Sequence, residues 1–586
     1  MSIQKTEWDL KKHFYNSIED IEYKKDFVTY LKKVKEVQKY KGKIAELTDE
    51  EFLTFYQEID VLNVEINKIF IFLSLSLSLD TQNQTLQKES AKIEKIVTDV
   101  SKEILFIEEE FKQIGFRRIM YYASLDSMKP FKNALISDAK GIQYTLTEAE
   151  EKLYLQLLSA SSSDMFEELT GSLDFTFRGE KLTLEEVRTK RTDEDRQVRK
   201  EAIESIANVF ASKQNQIVLS NLYALVCKGQ NLDVEIRKYR TVMSSRNMSE
   251  EVEDNTVNIL LKCVEDNYGL YHKFLGKKAK MLGLEKLEVY DIFAPFQTKD
   301  SGKEYSFEEG WKLYIDTISE VDKKLADFSL DMLEDNRISV FPHLGKTGGA
   351  YAQYEKSIPE FVLLNWTNSY SDVTTLAHEL GHAFHGNLSK AQTSSVYYTP
   401  LILAETASIF NETLMFEKLL ETTQEEELKK KLIFDRLDDI FGTIFRQVMY
   451  VKFEKFCHES FLKNEPMTYD DFNHTWFTES SKLYGPHVNV DKELLKHGWS
   501  GIPHIFNTPF YCYTYAFGNI ISLNIYQGYK EAVNKEDFLS KYHSFLEAGG
   551  SDTPENLLKD IFNIEFNDNF YKLAFSHIEE LISKLD

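Results

Sequence analysis

Proline is absent from the first 129 residues of this 586-residue chain: of ten prolines the first is Pro130, and eight follow residue 340. Proline removes an amide donor and clashes with the preceding turn, so a proline-free stretch rich in Lys, Glu and Leu can run in long helices. Residues 20–42, 48–70 and 83–114 carry the apolar spacing that predicts such helices, as in Ile93, Ile96, Val97, Val100 and Ile104. The first third therefore reads as a helical bundle. One stretch is ambiguous. Phe70–Leu79 ends in alternating Leu and Ser, a strand pattern on its face, but helix formers flank it and an isolated strand would leave its edges unpaired. Helix is the expectation there.

Further along, residues 143–158 predict a helix, broken by the run Ser159–Ser163. Phe175–Leu182 reads as a hairpin turning at Arg178-Gly179, and Thr183/Glu186 and Thr192/Asp195 are two successive helix-start signals. Length alone suggests two or more domains, and the join is expected near 185–195, giving a helical domain at 1–190 and a larger one at 191–586. Helices should resume to about residue 285 and break into short pieces over 286–366.

The stretch with the most chemistry is His378-Glu379-Leu380-Gly381-His382. On a helix the two histidines lie one turn apart on one face and can share a metal ion, while Glu379 beside them can take a proton from a metal-activated water. Ser369 and Asp372 have capping-box spacing ahead of the apolar run Val373, Leu376, Ala377 and Leu380, which predicts the helix. Catalytic zinc wants three protein ligands and an open position. Gly at 385 and His at 388 would make the third ligand a histidine, but the chain has His385 and Leu388. A second helix at Leu401–Leu414 supplies Glu405 instead, with Glu412 and Glu417 as competitors. Ser408 and Glu412 lie at +3 and +7 from Glu405, on its face, and are candidates to orient the ligands.

Three further segments could serve such a centre. Gly345–Tyr351 lacks the full phosphate-loop pattern, and its adjacent Gly348 and Gly349 let backbone approach a ligand or let a loop move. Glu360–Asn365, with Phe361, Val362 and Leu363, is a strand candidate a dozen residues before the motif; it is either an edge that pairs with an extended peptide or a buried structural strand. Residues 497–519 hold His504, Tyr511, Tyr513 and Tyr515, neutral donors of the type that stabilises an oxyanion. Spacing at i, i+2 and i+4 cannot put all three tyrosines on one helical face.

HELGHAFH followed by AETASIFNE resembles the oligoendopeptidase F branch of the thimet-oligopeptidase-like zinc metallopeptidases. The likeness runs from about residue 120 to 580, strongest at 348–412 and 497–519. It implies one zinc ion per chain bound by His378, His382 and Glu405, with Glu379 as general base and His385 and Glu412 around them. It also implies that His504 and nearby tyrosines contact the scissile carbonyl, without saying which tyrosine. The comparable glycine loop often carries Arg before the glycines; here Thr347 stands in that place. The fold implied is predominantly all-α, two helical domains enclosing a deep substrate channel, with a small β-sheet near the metal. The activity implied is internal cleavage of short unfolded peptides.

Composition narrows the partners. With 70 basic and 95 acidic residues the net charge is −25 and the pI about 5.1, which disfavours nucleic acid and anionic membranes. The four cysteines form no CxxC pair, no apolar run reaches bilayer length, and the N-terminus has no apolar leader, so a cytoplasmic enzyme is expected. Two other readings stay open: a related helical zinc carboxypeptidase and a catalytically silent peptide-binding protein. The oligomeric state is not readable.

Overall fold

A computed structural model describes residues 6–158, 162–297 and 304–585. The fold is predominantly helical with three small sheets among the described residues. The expected break at Ser159–Ser163 falls largely on residues 159–161, outside the described residues. Contacts group the chain into two compact units, each assembled from three segments. Unit 1 is Met1–Tyr154, Lys303–Leu419 and Ile525–Ile564; unit 2 is Leu155–Gly302, Leu420–Asn524 and Glu565–Asp586. The join expected at 190/191 lies inside unit 2, so the packing does not follow that division.

In unit 1 the proline-free region forms the helices Ile21–Gln38, Asp49–Asp60, Val64–Leu79, Gln84–Ile104 and Phe106–Ala123. The last bends at Gly115, whose φ of 77° only glycine adopts readily. Phe70–Leu79 is helical. Ile69, Ile71, Phe72, Leu73 and Leu75 are all buried, so apolar side chains are wanted on nearly every face and the Leu/Ser alternation carries no strand information. The run Asp49–Leu79 is long and apolar enough by composition to cross a membrane, but it is two helices of this core.

The small sheet of unit 1 has Ile358–Leu363 in its centre, parallel to Ile338–Ser339 and antiparallel to Tyr351–Glu355. Phe361, Val362 and Leu363 are fully buried. Phe361 lies among Trp8, His13 and Phe14, and the Trp8 indole donates to the carbonyls of Arg337 and Val362 at 3.1 and 2.9 Å. Of the two readings for this strand the buried one fits: it lies between two neighbours, paired on both sides at Val362 and Leu363, and the side chains of Phe361, Val362 and Leu363 face the core rather than a peptide. Each such side chain stabilises the core by about 1.5–3 kcal/mol instead.

In unit 2 the helix Ser162–Ser172 leads to the hairpin Phe175–Phe177/Glu180–Leu182, which turns on Arg178 and Gly179 at φ of 50° and 89°, both in the left-handed region that a tight turn needs. Thr183 and Glu186 form a reciprocal capping box. Thr192 does not start a helix: it ends a 3₁₀ turn, and Asp195 caps Arg196–Phe210 by accepting from Gln197. A shorter Asx cap won over the four-residue box. Fully buried Asp291 then receives Arg196 and Arg199, with nitrogen–oxygen distances of 2.7 and 3.0 Å. The helix Glu426–Ile440 continues through a π turn, Phe441–Arg446, into Gln447–Leu462.

Candidate metal centre

His378, Glu379 and His382 stand on the helix Tyr370–Ser389 of unit 1, which the Ser369/Asp372 capping box starts as expected. The imidazoles sit one above the other with ring centroids 4.9 Å apart. The second ligand segment is not one helix. It runs Leu401–Ala404, breaks at Glu405 (φ −83°, ψ −1°) and resumes as Thr406–Thr422. That break is the sparsely allowed bridge conformation, and it coincides with Glu405 meeting the histidines. Glu405 Oε2 is 3.4 Å from His378 Nε2 and 3.3 Å from His382 Nε2.

Two helices approach this closely because Gly381 has no side chain. A Cβ there would lie 2.6 Å from the Ala407 carbonyl oxygen and 2.7 Å from Ser408 Cα. Asn411 braces the contact by donating to the Ala377 carbonyl at 2.6 Å. Ser408 Oγ donates to Glu405 Oε2 at 2.7 Å, and His378 Nδ1 lies 3.0 Å from Glu412 Oε2. Glu412 thus meets His378 through Nδ1 and lies outside the group of His378, His382 and Glu405 atoms that could hold an ion. Glu417 lies outside the group of ligand atoms. His385 is buried and acts on the carbonyl of Ala404, the residue before Glu405.

The donor set fits a zinc-sized cation. An ion about 2.0–2.1 Å from each ligand in tetrahedral array separates those ligands by about 3.3 Å, as observed here. The charges agree. Burial works against charge on His378, but Glu412 and Glu405 carry it up to about 9. Burial works against charge on Glu405, but the two histidines and Ser408 hold it down to about 2. Burial raises Glu379, opposed by His378 and His382. Burial holds His385 down to about 3, leaving it neutral. Carboxylates converging on two half-buried imidazoles favour bound positive charge.

Sequence reading missed the strand Tyr351–Glu355. It is the outer strand of the sheet, with no second partner among the described residues. The Ala352 amide acts on the Glu379 carboxylate, and the Tyr354 ring lies against Gly386, where a Cβ would come within 2.5 Å of it. Burial, Glu405 and Glu379 push the Tyr354 hydroxyl up to about 12. A glycine in mid-helix was the available signal, since it costs helix stability unless something packs closely on it. Gly348 and Gly349, just upstream, are exposed, and Asn365 donates to the Gly349 carbonyl at 2.7 Å.

His504, Tyr511, Tyr513 and Tyr515 belong to unit 2. His504 stacks on Tyr511 with centroids 5.9 Å apart, and Tyr515 meets both edge-on at 6.1 and 5.1 Å. Burial lowers the His504 pKa, which favours the neutral imidazole. Tyr513 is the exception. It opens the helix Tyr513–Glu531, is fully buried, and takes no part in the ring contacts that join His504, Tyr511 and Tyr515. The half-turn between i and i+2 explains why it cannot join the cluster.

Comparison with known proteins agrees with this architecture. The chain is 28% identical to an oligoendopeptidase F homolog of Borreliella burgdorferi, covering 93% of this chain and 92% of that one. It is 26% identical to oligopeptidase PepF of Bacillus subtilis, covering 97% and 86%. A solved structure from Chlamydophila abortus shares the fold with a TM-score of 0.85 at 23% identity, covering 100% of this chain and 98% of that one. Oligoendopeptidase-F from Enterococcus faecium shares it with a TM-score of 0.72 at 21% identity, covering 96% and 98%. The profile of peptidase family M3 matches residues 190–572. The chain is thus a metalloendopeptidase that belongs to peptidase family M3.

Proposed function

We propose that this chain is a zinc-dependent oligoendopeptidase of the cytoplasm, with one zinc ion per chain, cleaving internal bonds of short unfolded peptides. The observation that carries the reading is the matched spacing of Glu405 to the two motif histidines, 3.3 and 3.4 Å, with Glu379 beside them. Bound zinc would supply an acidified water and a Lewis acid for the scissile carbonyl. His378, His382 and Glu405 hold the ion, and Glu412, Ser408 and His385 keep those ligands in place. Glu379 takes the proton from the attacking water and returns it to the leaving amine. Its raised pKa brings it nearer the operating range of a general acid and base.

The open edge of Tyr351–Glu355 offers main-chain groups to an extended peptide, a mode that reads peptides independently of sequence. Gly348 and Gly349 lead the chain into it. His504, Tyr511 and Tyr515 are carried forward as oxyanion donors on the strength of the resemblance alone, without Tyr513. Reduced cysteines support the compartment: all four are free.

The test is mass spectrometry of a peptide mixture digested before and after chelation and zinc add-back. Internal cleavage that vanishes with chelator and returns with zinc is expected. Loss of single C-terminal residues would make the chain a carboxypeptidase. No cleavage by zinc-replete protein would overturn the enzymatic reading in favour of a silent binding protein.

A further inference from the structure

A carboxylate-free cavity of about 100 Å³ lies inside unit 2. Arg188, Arg191, Phe293, Arg446, Tyr450 and Trp476 are among its walls, and no Asp or Glu is. In a chain with 95 acidic residues, three arginines without a lining carboxylate are unusual. Nearby arginines are served differently. Arg196 and Arg199 share buried Asp291, and Arg188 is taken by Glu185 and the Gly501 carbonyl. Arg191 and Arg446 have neither a hydrogen bond nor an ion pair among the described residues. Their Nε atoms, and Trp476 Nε1, are buried without an acceptor.

What the two guanidiniums do share is one aromatic ring. Arg191 and Arg446 lie over Phe293 at 4.0 and 4.7 Å from its centroid. Burial and the neighbouring charge of Arg446 pull Arg191 down to about 10, whereas Arg446, against its burial, is raised by Tyr450, Tyr271, Tyr484 and Asp438. Two like charges so placed are costly unless an anion joins them. The backbone is shaped around one of them. Arg446 ends the π turn Phe441–Arg446, and a Cβ at Gly442 would lie 2.9 Å from Arg446 Nη2. Single π turns inside helices recur at functional sites. At about 30 Å³ per water the cavity has room for roughly three waters, which suits a small ion and excludes a nucleotide or peptide.

We infer that this cavity binds a small tetrahedral oxyanion of the phosphate or sulfate class, gripped by Arg191 and Arg446 with the Trp476 N–H as a third donor. Planar guanidiniums match such anions with paired hydrogen bonds, and the indole N–H gains the acceptor it lacks. The site is separate from the metal centre, whose ligands all belong to unit 1.

Thermal unfolding of the full chain, titrated with sodium phosphate or sulfate at constant ionic strength, tests this, with sodium gluconate as a control too large for the cavity. A saturable rise in Tm of at least about 2 °C is expected with phosphate and sulfate and none with gluconate. Arg191→Met and Arg446→Met should raise the midpoint concentration at least about tenfold, while unfolding no earlier than the native chain in oxyanion-free buffer, because one of two like charges is gone. Should a methionine variant fail to fold, Arg446→Lys, which keeps the charge and loses the fork, should weaken the midpoint several-fold. No saturable rise would overturn the inference. So would an undiminished rise in the arginine variants, which would place the anion elsewhere, including on the metal, or a rise with chloride alone.

Discussion

His378 with Glu412 and His458 with Glu454 are the same two residue types in opposite electrical states. At the metal centre Glu412 reaches across from a facing helix to His378 Nδ1 at 3.0 Å, and with Glu405 it lifts that imidazole to about 9 against burial. In unit 2, Glu454 and His458 stand one turn apart on Gln447–Leu462, both fully buried. There burial alone takes His458 down to about 3, and burial takes Glu454 up to about 8 against the Phe510 amide and Arg246. Neither His458 nitrogen has a partner, and its ring packs against Phe510 at 4.8 Å. The difference teaches that composition does not make a cation site. Carboxylates arriving from separate elements do, whereas the same groups sharing one helix among aromatics stay neutral.

Three substitutions bear on the comparison. The largest effect should come from Glu379→Gln, which keeps size and the ligand set but removes the base: kcat should fall about 10²–10⁴-fold with metal content unchanged. Full turnover in metal-replete mutant would break the contrast at its catalytic end. Glu412→Ala should weaken metal affinity by about 10–100-fold, read by chelator competition, since it frees His378 to rotate; unchanged affinity would show that the hydrogen bond to Nδ1 does not organise the ligand.

The smallest effect, on stability alone, belongs to Glu454→Gln. Its folded-state pKa of about 8 lies above the ordinary 4.5, so the native state holds a proton that the unfolded chain has released. That contribution is complete below about pH 4.5 and is lost as pH rises through 8, a destabilisation on the order of a few kcal/mol. Glutamine keeps an acceptor for the Phe510 amide and should flatten the loss, so its Tm advantage grows from pH 5 to pH 8 while metal content stays native. A Tm difference independent of pH would show that Glu454 is charged in the fold.

Much of this was legible beforehand, for physical reasons that can be named. The Ser369 cap and the motif helix are local in sequence, and local spacing reports them. Tyr513 was separable in principle, since i and i+2 face apart. The strand Ile358–Leu363 was not assignable to an edge or a centre, because an apolar run says that both faces are covered but not how many strands lie beside it. Its neighbour Tyr351–Glu355, half-buried and mixed in polarity, sent no clear signal at all. The boundary near 190 rested on helix starts, whereas units are defined by contacts between segments hundreds of residues apart. Arg191 and Arg446 are 255 positions apart, and no periodicity connects them.

The two hydrogen bonds of the Trp8 indole, to carbonyls 329 and 354 residues later, also set an order for biosynthesis. The N-terminal helices leave the ribosome early, but the strand that Trp8, Phe14 and Phe72 surround is completed only at Leu363. At translation speeds of about 5–20 residues per second, the apolar face of those helices waits roughly 10–40 s after Tyr154 for its covering strand.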